Sequence, residues 1–194
     1  MSANRSTQNA AHLPAGFQAD HTVSLRQKRY AFAVQTIFIL TSLLSVGAAL
    51  LFRLPLETAW PPAITILVTL LALLVYMALH ELSHGVALQL MTGVRPTYAL
   101  RFPFLTTGTD AYLNRRTAVI AALTPVIVWG LVLFAALPTV PQDCRLTVYI
   151  LLTLNFAGSA GDFVEVYVAS RQPAGALIQD DGDVVHVLVP TPRT

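Results

Sequence analysis

The sequence predicts an all-α membrane protein of about four transmembrane helices, with a short cytosolic β-hairpin at its C-terminal end. Three observations carry that expectation. Of 194 residues, 55% are hydrophobic and only 11% are charged, where soluble domains carry roughly 25%. Four segments stay apolar long enough to cross a hydrocarbon core of roughly 30 Å, which takes about 20 helical residues. Near the end, "ALIQDDGDVVHVLVP" sets two apolar runs around Asp181-Gly182, a pair that favours a tight turn.

Residues 1–30 read as a polar cytosolic tail, because the first apolar segment begins late and runs too long for a removed signal. The spans fall at about 31–52, 61–91, 117–137 and 144–169, inside a transmembrane domain over 31–170, and the cytosolic tail occupies 171–194. Gly47 in the first span, and Pro125 and Gly130 in the third, read as packing or kink positions. Between the second and third spans, "PTYALRFPF" alternates enough to suggest a strand or hairpin edge.

Basic residues set the orientation. Arg26, Lys28 and Arg29 precede the first span, Arg95, Arg101, Arg115 and Arg116 lie between the second and third, and Arg171 follows the fourth. The opposite loops hold only Arg53 and Arg145. The positive-inside rule therefore expects a multi-pass protein of the cell membrane with both termini in the cytosol. A formal net charge of +2, with no basic stripe, gives no purchase on a phosphate backbone and argues against nucleic acid as a partner. The single cysteine, Cys144, cannot close an internal disulfide.

The second span ends in "YMALHELSHGVAL", three ionisable groups in one helical turn of an apolar segment. Such groups are costly in a span and mark function. His80, Glu81 and His84 spell H-E-x-x-H. Residues four apart share a helix face, so both imidazoles can reach one zinc ion, with Glu81 placed to take a proton from water activated there. Neutral imidazoles bind zinc without cancelling its charge, and a carboxylate can pass the proton on to a leaving amine.

A zinc site of this kind needs a third protein ligand, and "LNFAGSAGDFVEV" in the fourth span supplies candidates. Asp162 is preferred. With both helices entering from the outer side, His80 and Asp162 lie about 19 and 18 residues down, roughly 28 and 27 Å, and so at one depth. Glu165, one turn on, is the rival ligand, or else an interfacial charge paired with Arg171 or the basic loop. Gly158, Ser159, Ala160 and Gly161 give this helix a thin wall that permits a close neighbour. Asn155 shares nearly the same face as Asp162, where it either binds substrate backbone, supports a metal ligand or ties helices together. His12 and His21 read as surface residues, His186 as a strand side chain, and Tyr76 and Met77 as core contacts.

On "ALHELSHGVAL", the proline of "ALTPVI" and "LNFAGSAGDFVEV" with the acidic turn beyond it, the chain resembles the site-2 protease type of intramembrane zinc peptidase. It is more closely similar to the compact bacterial membrane proteins grouped as a zincin-peptidase family. The resemblance covers most of the chain from about residue 60. It implies His80 and His84 as zinc ligands, Asp162 in the place of the distal aspartate ligand, Glu81 as catalytic acid and base, and peptide-bond hydrolysis near the membrane face. One departure is visible: site-2 proteases carry the distal aspartate before a glycine, whereas here Gly161 precedes Asp162.

The function expected is a zinc-dependent membrane-embedded peptidase acting on a membrane-anchored peptide or protein near the cytosolic face. Two alternatives stay open: a non-catalytic metal-binding or regulatory membrane protein, and a small metal transporter. The sequence names neither the substrate nor the oligomeric state.

Overall fold

A computed structural model describes residues 9–24, 27–101, 104–182 and 184–191; Arg26, counted above among the topology-setting residues, lies outside them. Four helical spans of 24, 31, 22 and 30 residues are long and apolar enough to cross a membrane, the shortest about 33 Å at 1.5 Å per residue. They are α1 (Lys28–Leu51), α2 (Pro62–Thr92), α3 (Arg115–Ala136) and a last span divided into α4 (Gln142–Gly158) and α5 (Ala160–Arg171). The all-α membrane architecture expected from composition is the one formed.

Each helix has local reasons for its ends. Proline occupies the first turn of α2, where its missing N–H costs nothing, and Gly93 stops the helix in the left-handed region at φ 73°. Asn114 caps α3 by accepting the Thr117 N–H at 2.9 Å, an interaction worth about 1 kcal/mol. The α1–α2 loop is tied to α4 through Asp143, which accepts the Ala59 N–H at 2.6 Å. None of α1 is buried, and Leu44 and Leu50 are each 74% exposed. Apolar surface of that extent is at rest only in lipid.

Two hairpins stand at the end of the bundle where α2 stops and α3 begins. Strands β2 (Thr97–Arg101) and β3 (Phe104–Gly108) pair antiparallel within the connection where the sequence suggested a strand or hairpin edge. The C-terminal hairpin also forms: β5 (Leu177–Asp180) and β6 (Val185–Pro190) flank a turn in which Gly182 takes φ 82°. This hairpin gains a neighbour on each side. β1 (Phe17–Val23), from the N-terminal segment, pairs with β6, and β4 (Leu113–Asn114) pairs with β5, giving the order β1-β6-β5-β4.

The β1 segment reads as polar tail in the sequence, and of its residues only Val23 is buried. Backbone pairing, not burial, places it. Val23 then joins Val164, Val168, Ala169, Ile178 and Val185 in one buried cluster that seats the sheet on α5, with Ala118 and Val119 of α3 packed alongside. At the other end, Tyr76, Leu133 and Leu151 lock α2, α3 and α4 together. The metal-binding turn of α2 lies between these two cores.

Candidate metal centre

Tyr76, His80 and His84 recur every four residues on α2 and so share one face, directed at α3 and the last span. His80 Nε2 lies 3.3 Å from Asp162 Oδ2 and His84 Nε2 lies 3.5 Å from Asp162 Oδ1. One ligand atom from each of the three residues falls within 4.8 Å of the others. Two imidazole nitrogens and a carboxylate are a donor set that suits zinc. Asp162 Oδ2 is buried without a hydrogen-bond partner, an expense that a bound cation removes. The residues therefore fit a metal ion, and among the described residues this is the one cluster that does.

The last span reaches the site by breaking. Its helix is interrupted at Ser159 (φ −77°, ψ 15°), and α5 restarts so that Asp162 falls in the first turn, where unpaired N–H groups favour an anion. The close approach expected of the small residues is made by Ala157, Ser159 and Ala160, all at most 2% exposed. Gly158 does not take part, since a Cβ there would meet nothing within 4 Å.

Hydrogen bonds behind the ligands fix which nitrogen faces the ion. Asn155 is fully buried; its amide N–H donates to the Val126 carbonyl at 2.9 Å, so its oxygen is the atom turned toward Tyr76. The Tyr76 hydroxyl donates to that oxygen at 2.8 Å. Having given up its proton there, the hydroxyl accepts from His80 Nδ1 at 3.1 Å, which leaves the lone pair of His80 on Nε2. His84 Nδ1 is 3.0 Å from the Ala121 carbonyl, an acceptor only, so its lone pair is likewise on Nε2. Asn155 therefore both supports a metal ligand and ties α4 to α2 and α3. Gly130 makes room for it, as a Cβ there would lie 3.2 Å from the Asn155 amide nitrogen.

Glu81 is held from the loop. Thr107 on β3 lies 2.9 Å from both the Glu81 carbonyl and the carboxylate oxygen Oε2. A cavity of about 220 Å³ runs from Glu81, His84 and Asp162 past Thr107 to Glu165 and Asp180. Glu165 is not one of the clustered ligands, and the pairing with Arg171 does not form: that guanidinium lies over the Tyr167 ring, 5.2 Å from its centroid. Asp180 sits on β5, where burial pushes its carboxyl up to about 6. His21 and His186 stand on β1 and β6, away from the cluster.

Three participants escaped sequence reading. Tyr76 carried a usable signal, its position four residues before His80. Asp180 stood in plain view in "QDDGD" but was read for its turn chemistry. Nothing local marks Thr107, which reaches Glu81 only because the β2–β3 hairpin folds back on α2.

A family model described as "Putative zincin peptidase" matches residues 73–177. No curated protein and no solved structure matches the chain.

Proposed function

Because the chain belongs to the family described as "Putative zincin peptidase", we propose that it is a zinc-dependent, membrane-embedded endopeptidase. Its substrate is a membrane-anchored peptide or protein, cut near the cytosolic face. The observation that carries the reading is the meeting of His80, His84 and Asp162 around one point, with Glu81 lining the same cavity as His84 and Asp162.

His80 and His84 through Nε2, and Asp162 through its carboxylate, would hold the ion. When bound, it supplies Lewis acidity to water and to a peptide carbonyl. Glu81 then takes the proton of the attacking water and delivers it to the leaving nitrogen. Thr107 keeps the Glu81 carboxylate turned to the cavity. A helical substrate must unwind first, because a carbonyl tied into a helix is poorly exposed to attack, so small or helix-breaking residues should flank the cut. The basic residues at this end of the bundle support a cytosolic position for the site.

Metal analysis of detergent-purified protein tests the reading. Wild type and Glu81→Gln should hold near one zinc per chain, and His80→Ala, His84→Ala and Asp162→Ala much less. Wild type reconstituted with membrane peptides should cleave at least one that Glu81→Gln leaves intact. Zinc retention without any cleavage would return the non-catalytic metal-binding reading, and no zinc in wild type would end the metallopeptidase one.

A further inference from the structure

The cavity beside the metal cluster continues to two carboxylates that hydrolysis does not require, Glu165 on α5 and Asp180 at the end of β5. Glu165 lies one helical turn beyond Asp162 and shares its face. Asp180 approaches from the sheet, with Oδ1 accepting the Gly182 N–H at 2.8 Å and its carbonyl accepting the Thr109 N–H at 2.7 Å. Its other carboxylate oxygen has no such donor among the described residues. Glu165, half-buried on the cavity wall and near enough to Asp180 to feel its charge, has no hydrogen-bond or ion-pair partner among the described residues.

Among the described residues, no lysine or arginine lines the cavity. Arg115 is spent on the carbonyls of Ser170 and Gln172, and Arg171 on the Tyr167 ring. A divalent ion held by two neutral imidazoles and Asp162 retains one positive charge, which an ionised Glu81 cancels. Glu165 and Asp180 are then left without a counter-charge among the described residues. Two half-buried carboxylates facing one small cavity are costly to keep ionised together unless a cation arrives.

We propose that Glu165 and Asp180 form a subsite for an organic cation, the ammonium or guanidinium group of a peptide lying across the metal cluster. A second metal ion suits the place less well, since hard divalent cations take six or more oxygen ligands or their equivalent in water. The walls around the carboxylates include Ala118, Ala122 and Ile178, apolar surface along which the methylene stem of a basic side chain can lie. The inference rests on the peptidase reading and narrows its substrate to peptides with a lysine or arginine near the cut, or with a free amino end there.

The test uses intact Glu81→Gln protein in detergent, which should bind without turnover, and short peptide amides carrying no metal-chelating group. Each peptide has lysine, arginine or norleucine at one position, with the amino end free or acetylated. The lysine and arginine peptides, or those with free amino ends, should bind about tenfold or more tightly than their neutral counterparts. The arm in which the preference appears identifies the source of the cation. Glu165→Gln and Asp180→Asn in the same background should erase it while zinc content stays unchanged. Equal affinity across the set, no binding of any peptide, or a preference that survives both substitutions overturns the proposal. The unsubstituted cleft gives the answer by itself if either variant fails to fold. Cation preference without hydrolysis in wild type would sink the peptidase reading alone, and hydrolysis without cation preference would sink the subsite alone.

Discussion

His84 Nδ1 donates to the Ala121 carbonyl across 3.0 Å, and that carbonyl is available because of Pro125. In an unbroken helix the N–H of residue 125 would occupy it; proline has none. Pro125 is buried inside α3, which continues through it. A residue that reads as a kink thus gives a metal ligand its acceptor.

Pro125→Ala separates the two roles of this proline, because they have opposite signs. Helix propensity favours alanine by about 3 kcal/mol in a helix interior, so the variant should melt no lower than wild type. Its new N–H competes for the Ala121 carbonyl, and zinc affinity should fall about tenfold, the smaller end of outer-shell effects. Chelator competition beside a thermal melt checks both; unchanged zinc affinity would reduce Pro125 to packing.

The relay from Val126 through Asn155 and Tyr76 to His80 acts as one device. Tyr76→Phe and Asn155→Leu should each weaken zinc binding about ten- to a hundredfold. The double variant should be little worse than the weaker single one, because either change breaks the same chain. Fully additive losses would mean that the two residues act separately.

Thr107→Val keeps the shape of the side chain and removes its donor to Glu81. Zinc content should stay at the wild-type level while the cleavage rate falls about tenfold, within the range that a positioned acid or base contributes. A parallel loss of zinc would show that Thr107 supports the fold of the site instead of Glu81.

Asp180 gives stability a pH dependence of defined sign. Its folded value of about 6 lies above the ordinary value of about 3.9, so the folded state binds more protons between those limits. The contribution is fully present below about pH 4 and is lost as pH rises through about 6. Asp180→Asn, which keeps an oxygen for the Gly182 N–H, should therefore melt higher than wild type at pH 8, with the gap closing below pH 4. Melting curves at several pH values decide it, and a gap that does not change with pH would rule out the titration.

Much of this protein is legible from its residues alone. Four apolar runs dictate four helices because a backbone in lipid must satisfy its own hydrogen bonds. H-E-x-x-H places two imidazoles on one face because four residues are little more than one turn, and equal depth in two spans favours Asp162. The tail hairpin followed from a turn pair between apolar runs. What the chain in one dimension could not disclose depends on which surfaces meet. β1 is held by backbone pairing that leaves no apolar pattern; Thr107 reaches Glu81 only through a folded hairpin, and Asp180 is carried to the cavity by a sheet whose strands lie far apart in sequence. Periodicity records burial and helix phase, so by itself it marked the spans and put His80 and His84 on one face, while depth along the spans favoured Asp162 over Glu165. The proton positions on those ligands, the grip on Glu81 and the unpaired carboxylates depend on hydrogen bonds and charge between distant segments, and these only the tertiary structure decided.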